Sequence, residues 1–145
     1  MEIFTIGFTG RTAEDFFETL RRAGVRRLID TRLKNTSQLA AFAKRDDLAY
    51  FLREILGAEY HAEPLLAPTR ELLEGYRKGH IAWEVYEEKY LGLMEERDVA
   101  HALDRALFEE PAVLLCSERT ADRCHRRLAA EHLAARWGGV RVVHL

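Results

Sequence analysis

Apolar residues in this chain alternate between runs of strand length and stripes of helical spacing, with turn residues at the junctions. Glu2 to Ile6 reads as a β-strand closed by Gly7. Thr12 then stands where a helix N-cap belongs, with Asp15 three residues on as its capping-box partner. Phe16, Phe17, Leu20 and Ala23 form that helix's apolar stripe, and Gly24 supplies its stop. Arg26 to Asp30, with Leu28 and Ile29 at its centre, predicts a second strand. From Asp30 to Arg45 no period survives, and the stretch holds the chain's only amides, Asn35 and Gln38. It reads as a long ordered loop with room for one helical turn, a kind of segment that more often serves function than accident. Helical spacing returns from Asp46 through Leu48, Phe51, Leu52, Ile55 and Leu56 until Gly57 closes it, and Glu59 to Ala62 follows as a short strand.

Pro64 and Pro68 punctuate the next stretch, after which the pattern is helical from Thr69 almost to Glu109, broken near Gly79 and Arg97. Trp83, Tyr86, Tyr90, Leu91 and Met94 share one stripe there, and their spacing favours core packing over a stacking platform for bases. After Pro111, Ala112 to Cys116 has the continuous apolar character of a buried strand. A helix is expected from about Ala121 to Trp137, and a last strand from Val140 to Leu145. Strands separated by helices predict an α/β fold: a three-layer α/β/α sandwich with a mostly parallel central sheet. With 145 residues, 48% of them hydrophobic, the chain is expected to form a single domain, 1–145, with a core that needs no staples.

Composition narrows the function classes. Lys and Arg number 22 against 24 Asp and Glu, so the net charge of -2 gives no global basic field of the kind that draws proteins onto nucleic acid. No basic leader or bilayer-length apolar segment occurs, which predicts a cytoplasmic protein without a membrane partner. Cys116 and Cys124 are the only cysteines, and in a reducing cytosol they are expected as thiols rather than as a bridge.

In parallel sheets, ligands sit beyond the carboxyl ends of the strands. Three polar clusters fall there: Gly7 to Arg11, Asp30-Thr31-Arg32, and Cys116-Ser117-Glu118-Arg119. A cysteine at a strand end before a loop and helix suits chemistry in which backbone N–H groups hold an anion or a thiolate. Cys116 is the candidate nucleophile, surrounded by Arg119, Arg123, Arg126 and Arg127. Cys124, placed on a stripe with Ala121 and Leu128, fits packing better. A metal reading would combine Cys116, Cys124 and His125 with His61, His132 or His144. A C-x7-C-H spacing lies off the pattern of structural zinc, so no metal and no cofactor is expected.

LIDTR at Leu28 to Arg32, with a late strand ending in Cys116, loosely resembles rhodanese-like sulfurtransferases, although CSERTADRC lacks the glycine with which their loops wrap the thiol. A closer resemblance spans nearly the whole chain. TIGFTGRTAEDFFETL, LIDTRLKNTSQLAAFAKRDDLAYFL, EPLLAPTRELLEGYRKG, IAWEVYEEKYLGLM and LLCSERTADRCHRRLAAEHL, in that order, resemble the bacterial family called domain of unknown function 488. The resemblance implies a compact α/β domain of unestablished activity. It also implies recurring polar positions at Asp30, Arg32, Asn35, Ser37, Gln38, Cys116, Glu118, Cys124, His125 and Arg126. The chain departs from the pattern at Phe8-Thr9-Gly10, where relatives often carry His-Ser-Asn or similar.

Together these readings predict a cleft for a phosphate- or nucleotide-type anion. Arg32, Asn35, Ser37, Gln38, Arg119, Cys124, His125 and Arg126 would bind it, with Asp30 and Glu118 orienting groups or exchanging protons and Cys116 as nucleophile or wall. The rivals are a non-catalytic nucleic-acid or protein binding module, and thiol or sulfur-transfer chemistry.

Overall fold

The computed structural model describes residues Met1–Leu145. Five strands, β1 (Glu2–Gly7), β2 (Arg27–Asp30), β3 (Glu59–Ala62), β4 (Ala112–Cys116) and β5 (Arg141–His144), form one all-parallel sheet in the order β3-β2-β4-β1-β5. The helices are α1 (Ala13–Arg22), α2 (Arg45–Phe51), α3 (Arg70–Arg77), α4 (Trp83–Glu96), α5 (Val99–Ala102) and α6 (His125–Trp137). The fold is α/β with helices on both sheet faces, as the alternation of patterns predicts. No helix is long and apolar enough to cross a membrane.

Side chains alternate across each strand and so divide the core in two. Phe4, Ile6, Leu28, Val113 and Leu115 pack with Phe16, Phe17 and Leu20 of α1 and with Leu48 and Leu52 beyond it. Ile3, Ile29, Ala112 and Leu114 face the other way, onto Leu128, Ala129 and Leu133 of α6 and onto Trp83, Tyr86, Tyr90 and Met94 of α4. The aromatic stripe of α4 is therefore core, as its spacing indicates.

The strand order also locates a crevice. From β1 the chain goes by α1 to β2, on one side of the sheet, and from β4 it goes by α6 to β5, on the other. The neighbouring strands β1 and β4 thus send their helices to opposite faces, and their carboxyl ends form a topological switch point. Gly7 of β1 is paired in register with Cys116 of β4 at that point.

Two local expectations need correction. Helix α6 begins at His125, not near Ala121, because Cys124 is extended (φ -137°, ψ 139°) and acts as the N-cap. Cys124 is accordingly not in the helix's first turn. The helix from Asp46 to Leu56 starts at Arg45 and widens into a π-turn over Leu52–Leu56 before Gly57 ends it in the left-handed region (φ 62°). The Asp30–Arg45 loop does hold helical structure, as expected, a 3₁₀ segment over Gln38–Ala43 that Ser37 caps by accepting from the Leu39 N–H.

Candidate functional site

A cavity of about 330 Å³ opens at the switch point. The loop after β1 contributes Phe8 and Thr9, and the segment after β2 contributes Arg32, Leu33, Lys34 and Ser37. The loop after β4 adds Cys116, Ser117, Glu118 and Arg123, and the α6 start adds Cys124 and His125. Tyr76, Arg77, Trp83 and Tyr86 close it from α3 and α4.

Arg32 is the best-held cation in this wall. Its backbone N–H donates to Asp30 Oδ1 at 3.1 Å, Nε donates to the same oxygen at 2.8 Å, and Nη2 donates to Oδ2 at 2.8 Å. The Tyr60 hydroxyl donates to Oδ2 as well. Burial pushes the Tyr60 pKa up, and the Asp30 carboxylate adds to the shift, so the phenol keeps its proton. Asp30 is thus fully occupied beneath Arg32 and orients it rather than lining the cavity. The third nitrogen of the fork, Arg32 Nη1, is buried and has no acceptor. The guanidinium also lies over the Phe8 ring, 5.4 Å from its centroid.

The loop after β4 is shaped by Arg126, which is fully buried. Its Nε donates to Thr5 Oγ1 at 3.3 Å, and its two terminal nitrogens donate to the carbonyls of Glu118 and Arg119. Burial, reinforced by the nearby Arg11 charge, lowers the Arg126 pKa to about 10, and the group stays charged at neutral pH. The loop is drawn so tightly over β1 that a Cβ on Gly7 would lie 1.5 Å from the Glu118 carbonyl oxygen. Gly7 is glycine for close approach, a need that its place at a strand end does not reveal.

His125 sits at the first helical position of α6, buried against Tyr90, the ring centroids 5.5 Å apart. Its Nε2 lies 2.9 Å from the Thr31 carbonyl and 3.0 Å from Thr31 Oγ1, whose own proton goes to the Leu115 carbonyl at 2.7 Å. Both partners of Nε2 therefore accept, so Nε2 carries the proton. Nδ1 is left as a lone pair, 3.8 Å from Cys116 Sγ. Burial pushes the His125 pKa down to about 4, so the ring is neutral at physiological pH. Cys116 and Cys124 are joined as a disulfide, which corrects the expectation of two separate thiols. In this state Cys116 carries no thiolate, and it lines the cavity.

Of the residues singled out from sequence, the cavity gathers Arg32, Ser37, Cys116, Glu118, Arg123, Cys124 and His125. Asn35 instead donates to Tyr60 Oη at 3.4 Å, and Gln38 accepts from Lys44 on the surface. Arg119 donates to the Gly10 carbonyl, and Arg126 turns into the fold. Sequence reasoning missed Lys34 and Arg77 as wall residues and weighed Trp83 and Tyr86 chiefly as core. They come from an aperiodic loop and from two helices that only the tertiary fold carries to this spot. Tyr60, the lock on Asp30, follows from the β2–β3 pairing, for which its strand pattern gives no register.

No curated protein and no solved structure matches the chain in comparison. The family model described as Domain of unknown function DUF488 matches residues 12–133, and the chain belongs to that family.

Proposed function

We propose that the cavity binds a small phosphate- or nucleotide-type anion. The observation that carries this reading is Arg32: a guanidinium held in place by a buried carboxylate, set in the cavity wall, with Nη1 lacking any acceptor in the protein. A buried charged donor without a partner costs on the order of 2 kcal/mol, and an anionic oxygen would satisfy it.

The surroundings support the same chemistry. Arg32, Lys34, Arg77 and Arg123 stand in the wall against one carboxylate, Glu118, although the chain as a whole is slightly acidic. Phe8, Trp83 and Tyr86 offer apolar surface to the rest of a ligand. The start of α6 has no side-chain cap, so its first N–H groups add positive potential at the same end. Glu118 is the wall carboxylate able to exchange a proton with a bound ligand. Asp30 acts at one remove, by aiming Arg32.

Titration of the full chain with inorganic phosphate and with adenosine monophosphate, followed by backbone amide shifts, tests this. Shifts are expected first at Phe8–Thr9, Arg32–Lys34 and Ser117–Cys124, with affinity falling as salt rises. Arg123→Ala and Arg77→Ala, both exposed, should each weaken binding severalfold, and Arg32→Lys by about tenfold through loss of the fork. Shifts confined to residues remote from the cavity, or none at all with millimolar ligand, would overturn the reading.

A further inference from the structure

We propose that Cys116, Cys124 and His125, with the two cysteines reduced, form a site for one thiophilic divalent metal ion such as zinc, with its open side toward the cavity. The donor atoms of these three buried residues lie within 4.8 Å of one another. All three residues line the cavity, so a fourth ligand can come from its contents. Two thiolates and an imidazole with one open position are a donor set that zinc uses when it binds substrate rather than merely bracing a fold.

Second-layer contacts point the same way. A metal-binding histidine normally donates its other ring N–H to an oxygen that fixes tautomer and tilt. Thr31 does so here through both its carbonyl and its hydroxyl, which leaves the Nδ1 lone pair facing the sulfur of Cys116. The ring of Tyr90 packs beside the imidazole. The backbone spacing suits parted sulfurs: the two Cα atoms are 7.2 Å apart, against about 4.4–6.8 Å for most disulfides. On zinc the sulfurs would stand roughly 3.8 Å apart, given Zn–S bonds near 2.3 Å. His61, His132 and His144 are engaged elsewhere, with Glu63, Glu95 and Thr5, and take no part.

The disulfide and the metal exclude each other. Reduction by a phosphine adds two electrons and two protons to the sulfur pair, and the phosphine leaves as its oxide with oxygen from water. Binding of the ion then displaces both thiol protons. The inference does not rest on the anion reading, because the donor set is complete without Arg32 and the ion is added in phosphate-free buffer.

The full chain, reduced with a phosphine, freed of reductant and kept anaerobic, is titrated with Co²⁺. One equivalent should give thiolate-to-cobalt charge-transfer absorption with tetrahedral d–d bands, and Zn²⁺ should displace it. Cys116→Ser, Cys124→Ser and His125→Gln should each weaken binding at least 100-fold, and Thr31→Val up to about tenfold, since the Thr31 carbonyl still accepts from the ring. His132→Gln should bind like the wild type. X-ray absorption of the zinc-loaded wild type, which needs no variant to fold, should show two sulfur neighbours with nitrogen or oxygen completing the shell. Absence of the charge-transfer band at stoichiometric cobalt would overturn the proposal. So would unchanged affinity in Cys124→Ser, or a zinc shell without two sulfurs. Cobalt binding without any phosphate response would sink the anion reading alone, and the converse would sink this one alone.

Discussion

Two residues far apart in sequence, Gly7 and Arg126, set the shape of the loop that carries Glu118. Arg126 holds two carbonyls of that loop while its charge stays in the protein interior, and Gly7 leaves the space into which the loop is pulled. Backbone rather than a flexible side chain occupies the space where a Cβ would go, so Gly7→Ala cannot be absorbed by a rotamer change. The loop or the strand must move. We expect Gly7→Ala to destabilise the fold by on the order of 3 kcal/mol, as overpacking of a rigid site does, measured by urea unfolding. The same variant should also disturb the amide signals of Ser117–Arg119. A stability within 0.5 kcal/mol of the wild type, the range of ordinary surface substitutions, would show that the loop is not held as described.

At the scale of elements, α4 connects the core to the cavity through a row of rings. Trp83 stacks on Tyr86 at 5.2 Å, Tyr86 on Tyr90 at 6.2 Å, and Tyr90 packs against His125 at 5.5 Å. Tyr90 is fully buried, and its hydroxyl donates to the Leu66 carbonyl at 2.7 Å, which ties α4 to the turn after β3. Tyr90→Phe keeps the ring packing and removes one hydrogen bond, leaving a carbonyl without that donor. A loss of about 1–2 kcal/mol is expected in urea unfolding, with the circular dichroism of the native state unchanged. The stripe that places these rings is legible in the sequence, because helical period and burial go together, and the same logic identifies the strands and the parallel sheet. The start of α6 is not legible. Ala121 to Arg123 have ordinary helix-compatible residues, and what holds them out of the helix is tertiary: Arg126 gripping the preceding carbonyls and Cys124 drawn to Cys116. The candidate site divides along the same line. Its strand-end residues Arg32, Cys116 and Glu118 follow from topology, whereas Arg77 and Trp83 arrive by helix packing, for which local pattern has no signal.

Across the whole molecule, three histidines are less basic folded than unfolded, and for each the largest cause is burial. His125 is pushed down to about 4. His132 and His144 are lowered as well, despite the opposing pull of Glu95 on the first and of Glu131 on the second. The imidazoles are neutral in the native state, and His144 Nδ1 shares a hydrogen bond with Thr5 Oγ1, the hydroxyl that also receives Arg126. In the unfolded chain the same rings take up protons near pH 6.5. Below that pH the unfolded state therefore binds more protons than the folded one, and stability falls as the pH falls. The loss from His125 continues until its folded pKa near 4 is reached and amounts to on the order of 3 kcal/mol. Total stabilities of small domains are about 5–15 kcal/mol, so this is a sizeable fraction. The urea midpoint of metal-free protein should be level from pH 8 to 7, drop measurably by pH 5.5 and drop further toward 4. Replacing His132 by Gln should remove part of the slope just below pH 6.5 and leave the deeper part, which belongs to the more strongly shifted His125. A midpoint that does not change between pH 7 and 5 would mean that these rings are as free to protonate in the fold as in water. The buried, Thr31-anchored imidazole that places a lone pair beside Cys116 would then not be the state the protein adopts.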